Sequence, residues 1–161
     1  MVGAVRLATA ADAAALARLR AAMLQAMGRD VGPEDAPWRT AAAAWFAAEP
    51  GRSAVAVVAE APGEGVVASA LAVLLPRPPG PDASTPFAAH VSQVSTRPEH
   101  RRRGHARACL RLLLELLEAR GIERADPHAT ADGDALYRGP GFRDSPYPSL
   151  RRVSGRATSS R

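Results

Sequence analysis

"VSTRPEHRRRGHARACLRLLLELLEARG" runs from Val94 to Gly121. It joins an alternating, strand-like stretch to a leucine-rich one through a loop that holds Arg97, Arg101, Arg102, Arg103 and Gly104. After the glycine, Ala106, Leu110, Leu113, Leu114 and Leu117 recur at helical spacing, while Arg107, Arg111, Glu115 and Glu118 fall on the opposite side. The pattern predicts a helix over 104–120 that Gly121 terminates. A helix N-terminus leaves backbone N–H groups without intrahelical partners and carries partial positive charge. A glycine there lets the main chain approach an anion closely, so strand, basic loop, glycine and helix make a sound phosphate cradle. Two other uses of the arginines stay open on this stretch alone: a solvated coat and a grip on nucleic acid.

The elements on either side build a mixed α/β domain. "VGAVRLA" (2–8) reads as a strand, and Thr9 caps a helix with Ala13, Leu16, Leu19, Arg20, Met23 and Met27 at three- and four-residue spacing. Gly28 ends it, and a polar loop leads to a second helix at about 36–48 with Trp38, Ala41, Ala42, Trp45 and Phe46. "SAVAVVAEA" and "VVASALAVLL", joined by "PGEG", form a hairpin. "PRPPGPDASTP" is too proline-rich for regular structure. "FAAHVSQVST" is the strand before the basic loop. Beyond the leucine helix, "IERADPHAT" is a strand, "GDALYRG" a short helix, and "GFRD" and "SLRRV" closing strands. The expected order is β-α-α-β-β-β-α-β-α-β-β in one domain over 1–153, with 154–161 a disordered tail.

Composition narrows the function classes. The chain has 161 residues, long enough for one domain with a core that needs neither disulfide nor metal. Lysine and asparagine are absent and Ile122 is the only isoleucine. These missing AT-rich codons point to a high-GC bacterial genome that inflates arginine and alanine use. The net charge of +5 favours anionic partners, although Arg138, Arg143, Arg151, Arg152, Arg156 and Arg161 put part of it far from the loop. No run approaches the roughly 18 apolar residues of a membrane span, and "MVGAVRLATAADAAAL" lacks an export signal, so a soluble cytoplasmic protein is expected. Cys109 is alone, cannot make a disulfide or a zinc site, and reads as a small buried residue. His100 and His105 lie in the basic loop with no partner at metal-ligand spacing, so no metal is expected. Base-stacking aromatics are missing from the basic stretch, which argues against nucleic acid.

Two motifs carry a family resemblance. "RRRGHA" (Arg101 to Ala106), placed after "VSQVST" and "RPEHR", is similar to the Q/R-x-x-G-x-G/A loop of the GNAT superfamily of acyl-CoA-dependent N-acyltransferases. Downstream, "ALYRGPGF" resembles the family's LY-x-x-x-GF segment, with Leu136, Tyr137, Gly141 and Phe142 in place. The element order over about residues 2–153 matches as well. The resemblance implies a GNAT-like fold and transfer of an acetyl or similar acyl group from acetyl-CoA to an amine by direct attack in a ternary complex. It implies that Val94 and Thr96, with Ser95 between them, line the pantetheine. It implies that Arg101, Arg102, Arg103, Gly104, His105 and Ala106 hold the phosphates.

In the same frame Tyr137 protonates the departing thiolate. Thr130 stands where many members carry asparagine, leaving one polar contact to the cofactor changed, and Gly133 and Pro140 are further departures. Asp126 and His128, two apart on a strand and so on one face, are candidates for the base, as are His90 and Ser92 on the preceding strand. Glu34 and Asp35 are candidates to bind a cationic acceptor from the loop between the first two helices. Glu99 reads as a solvated loop residue. The acceptor class stays open between small-molecule and peptide amines, and dimers are common in the family. Two other readings stay beside the enzyme: an acyl-CoA-binding sensor without turnover, and a basic nucleic-acid-binding protein.

Overall fold

The structure is a computed structural model that describes residues 3–127 and 133–145. Along the chain come β1 (Val5–Leu7), a short 3-10 turn (Ala10–Asp12), α1 (Ala13–Ala26), α2 (Pro37–Ala48), β2 (Ala54–Ala61), β3 (Gly65–Pro76) and β4 (Phe87–Thr96). A second 3-10 turn (Pro98–His100), α3 (His105–Ala119), β5 (Ala125–Pro127) and α4 (Asp134–Arg138) follow. The sheet order is β1-β2-β3-β4-β5, antiparallel except for the last pair, β4 and β5.

Both faces of the sheet are covered, and this explains why β2 is apolar without alternation. Its Ala54, Ala56 and Val58 pack with Leu16 of α1, Phe46 of α2 and Leu71 of β3. Its Val55, Val57 and Ala59 pack on the other face with Leu110, Leu113 and Leu117 of α3. A strand buried on both sides reads as a continuous apolar run. The inward stripe of α3 is His105, Cys109, Leu110, Leu113 and Leu117, with Ala106 and Leu114 half-buried and the four charged residues in water. Complete burial of a leucine such as Leu110 or Leu113 contributes about 1.5–3 kcal/mol, enough to fix the helix, and hence its N-terminus, against the sheet.

One expected strand is corrected. "GFRD" does not join the sheet: residues 142–145 are irregular. The Phe142 N–H donates to the Tyr137 carbonyl at 3.3 Å, its ring turns in against Tyr137, and Asp144 pairs with Arg138 at 2.8 Å. The segment therefore closes the end of α4. "SLRRV" and the tail lie outside the described residues.

Candidate active site

The site begins with an irregularity in β4. Its register against β3 jumps from Gln93 opposite Leu71 to Val91 opposite Ala72, so Ser92 is the extra residue of a β-bulge. The bulge exchanges the two faces of the strand. Before it, Ala89 and Val91 face α3; after it, Val94 packs on that side while Gln93 and Ser95 turn to α1. The Ser95 hydroxyl donates to the Leu19 carbonyl at 2.9 Å, and the Gln93 amide donates to the Leu16 carbonyl at 3.4 Å and to Ser69 at 3.2 Å. These buried bonds tie α1 across the strand. The Ser95 side chain is thereby spent on α1, and its backbone groups turn to Ser69 of β3.

The backbone direction of β4 follows from a single bond. The Arg97 N–H donates to the Val67 carbonyl at 2.8 Å, one step beyond the Ala68–Thr96 pair. In an antiparallel ladder, alternate residues direct both backbone groups to the same neighbour. Val94 and Thr96 therefore turn their N–H and C=O groups away from β3, toward the β5 side. There the described parallel pairing ends at Val91 opposite Pro127. Among the described residues, the Thr96 carbonyl accepts only a long bond from the Arg101 guanidinium, 3.5 Å.

The chain then enters the basic loop. Arg102 adopts φ 60°, the only positive φ at a non-glycine among the described residues, and Gly104 adopts φ 87° as the N-cap of α3. Such left-handed residues in a turn gather successive N–H groups into an anion-binding concavity. The first α3 bond runs from the Ala108 N–H to the Gly104 carbonyl at 3.0 Å, so the N–H groups of His105, Ala106 and Arg107 have no intrahelical partner. Arg97 pairs with Glu99 at 2.7 Å, whereas Arg101, Arg102, Arg103 and Arg107 make no ion pair among the described residues. Glu99 is exposed, as expected.

A cleft of about 870 Å³ opens along these groups. Val94, Ser95, Thr96, Arg101, Arg102, Gly104, His105 and Ala106 line it, together with Tyr137; Arg103 is exposed beside it. Tyr137 is buried in the α3-side core with Phe142 edge-on at 5.4 Å. Burial pushes its phenol above the ordinary value of 10, so at neutral pH it is a proton donor. Its hydroxyl makes no hydrogen bond within the described residues. Backbone acceptors and donors at Val94 and Thr96, an N–H cluster at Gly104, unpaired guanidinium groups and a neutral phenol on one cleft fit an acyl-CoA, from thioester to phosphates.

Both histidines of the basic loop are buried: His100 and His105 are 3% and 2% exposed, with ring centroids 5.9 Å apart and planes at 69°. His100 Nε2 lies 2.9 Å from Glu64 on the β2–β3 hairpin, and both Nδ1 atoms are buried without a partner among the described residues. Desolvation, then the neighbouring His100, depresses the His105 ring below the usual histidine range. The polar spelling of the loop hid this, because the partner lies 36 residues upstream. Met23, Ala26 and Met27 of α1 also line the cleft and were not anticipated as site residues. Their inward spacing near the helix end was the available signal.

Other candidates do not converge on the cleft. Asp126 is exposed, bonded to Arg124 at 2.8 Å and paired in register with His90, away from the cleft lining. Glu34 and Asp35 are exposed in the loop after α1, which Trp38 holds through its indole N–H to the Val31 carbonyl at 2.8 Å. His128 and Thr130 lie outside the described residues. Cys109 is fully buried and its thiol is pushed up to about 12 by desolvation, which removes it as a nucleophile. Among the described residues no His, Cys, Asp and Glu group could hold a metal, and no helix is long and apolar enough to cross a membrane.

Comparison with known proteins agrees with this geometry. Residues 16–142 match the sequence profile described as "Acetyltransferase (GNAT) family". No curated protein sequence matched the chain. Among solved structures, a predicted acetyltransferase with acetyl-CoA from Clostridium acetobutylicum is 22% identical, with a TM-score of 0.78 over 94% of this chain and 96% of that one. A GCN5-related N-acetyltransferase from Ralstonia eutropha is 25% identical, with a TM-score of 0.78 over 94% and 99%. A ribosomal-protein-alanine N-acetyltransferase from Brucella melitensis is 23% identical, with a TM-score of 0.72 over 96% and 100%.

Proposed function

Because the chain belongs to the acetyltransferase (GNAT) family, we propose that it transfers an acetyl group from acetyl-CoA to a primary amine by direct attack in a ternary complex. The observation that carries this reading is the single cleft that joins the outward-turned backbone of Val94 and Thr96 to the Gly104 loop and Tyr137. Acetyl-CoA supplies the activated acyl group. Val94 and Thr96 hold the pantetheine through main-chain bonds. The N–H groups of His105 and Ala106, with Arg101 and Arg102, hold the diphosphate, and Arg103 adds long-range charge.

The amine lone pair forms the new C–N bond while the C–S bond breaks. A backbone N–H near Val94 stabilises negative charge that develops on the thioester oxygen. Tyr137 delivers its proton to the departing sulfur and regains one from solvent. The amine's proton passes to a base, a role we assign to His128 directly or through water; Thr130 contacts the cofactor. Asp126, held by Arg124 outside the cleft, is not given that role. The same proposal places the enzyme in the cytoplasm of a high-GC bacterium.

The test is calorimetric titration with acetyl-CoA, desulfo-CoA and a short DNA duplex at two salt concentrations. Micromolar acetyl-CoA binding that Gly104→Val abolishes supports the reading. Strong, steeply salt-dependent DNA binding without CoA binding would return the arginines to nucleic acid.

A further inference from the structure

A second cavity, of about 320 Å³, lies between α1, α2 and the sheet. Trp45, Phe46, Leu71 and Val73 make its apolar walls, the two rings meeting edge-on at 5.4 Å, and among the described residues Arg20 and Ser92 are its polar lining side chains. Arg20 is half-buried there, and it makes no ion pair or hydrogen bond within the described residues. A half-buried guanidinium beside apolar walls and without a counter-charge has its donors available for an anion entering the cavity. In the inward spacing of α1, Arg20 is also the one charged member, where packing alone would have taken an alanine or leucine.

The cavity approaches the main cleft along two elements, β4 and α1. Ser92 is the bulged residue of β4, two positions before Val94, and Arg20 lies three residues before Met23, which lines the main cleft. The Gln93 and Ser95 bonds to Leu16 and Leu19 fix α1 against β4, the two elements that contribute residues to both cavities. The volume sits at the lower end of small-ligand sites, roughly 300–1,000 Å³, room for a molecule of amino-acid size. The carboxylates that would favour a cationic acceptor, Glu34 and Asp35, line neither cavity.

We propose that this cavity receives the acceptor, and that Arg20 selects amines carrying a carboxylate beside an apolar, aromatic-sized body. This rests on the acyltransferase reading, so the experiment has an arm that stands without it. In a Trp38→Phe background, Trp45 fluorescence is titrated with 3-phenylpropionate and with the uncharged 3-phenylpropan-1-ol. The carboxylate should bind at least about tenfold more tightly, as a charge-assisted bond requires. Arg20→Met should erase that preference, Arg20→Lys should keep part of it, and Val73→Phe should block both probes. Thermal unfolding confirms that each variant is folded, and acetyl-CoA titration is run in parallel.

Equal affinity for the two probes, or no response to either in protein that binds acetyl-CoA, would overturn the inference. Carboxylate preference without acetyl-CoA binding would overturn the acceptor role and the acyltransferase reading together, leaving an anion site. In turnover, L-phenylalanine should be acetylated faster than phenethylamine, with the order lost in Arg20→Met. The opposite order, or acetylation of neither by protein that binds acetyl-CoA, would overturn the substrate class.

Discussion

Removing one oxygen from Tyr137 should separate rate from stability. The ring is 7% exposed and packs with Phe142 at 5.4 Å, while the hydroxyl makes no hydrogen bond among the described residues. Tyr137→Phe keeps the packing and breaks no bond, where a lost hydrogen bond would cost about 1 kcal/mol; the unfolding free energy should therefore move by less than about 0.5 kcal/mol. Tyr137→Ala, by contrast, deletes the ring and should cost about 3–5 kcal/mol.

The effect on chemistry runs the other way. A positioned general acid contributes roughly 10²–10⁴-fold, so Tyr137→Phe should lower kcat by about a hundredfold, some 2.7 kcal/mol of barrier. Its affinity for acetyl-CoA should not change. The assay follows thiol release at saturating acetyl-CoA, beside urea unfolding of the same preparations. Since burial raises the phenol, the donor stays protonated across the neutral range, and any loss of rate from its ionisation should appear only above about pH 10. A Tyr137→Phe enzyme with full kcat would refute the acid role. One that is destabilised by more than 1 kcal/mol would refute the account of an unbonded hydroxyl.

Three further outcomes follow from local geometry. Gly104→Ala places a side chain at φ 87°, which should cost about 1–2 kcal/mol in urea unfolding and weaken acetyl-CoA binding in calorimetry; unchanged binding would separate the loop from the diphosphate. The Cys109 thiol, pushed up to about 12, is protonated in the fold at a pH where the unfolded chain has lost its proton. Stability should hold below about pH 8.5, then decline as pH rises toward 12, and Cys109→Ala should flatten that slope. His105 is depressed, so the unfolded ring takes up a proton first. Stability should fall as pH drops below about 6.5, with His105→Gln flattening the acid side in melts between pH 7 and 5.

The sequence carried the fold where a pattern was long. The α3 stripe, the β2–β3 hairpin and the ten-residue β4 were all legible from period and turn residues. It misjudged "GFRD" because four residues with one aromatic cannot distinguish a strand from a helix closure, and the choice was made by Tyr137 and Arg138. The turn at Gly104 and the short helix that carries Tyr137 were readable because each is set by a few adjacent residues. The bulge at Ser92 was not, since no glycine or proline marks it and it exists only as a register relation to Leu71 and Ala72. The burial of His100 depends likewise on Glu64 across the hairpin.

That one unreadable residue organises the site. Were Ser92 paired in the ladder instead of bulged, the faces of β4 would stay in phase along its length, and Val94 would point its side chain to α1 and its backbone groups to β3. The outward main-chain edge beside the cleft would then belong to Gln93 and Ser95, and neither side chain could reach the Leu16 and Leu19 carbonyls that anchor α1. The bulge thus sets both the cofactor edge and the helix that carries Arg20, Met23 and Met27. Gln93→Leu combined with Ser95→Ala cuts the bonds that hold α1 to β4 and should therefore weaken acetyl-CoA binding and the Trp45 response to 3-phenylpropionate together, where Gly104→Ala should affect only the first. Loss of one without the other in the double variant would show that the two cavities are built independently.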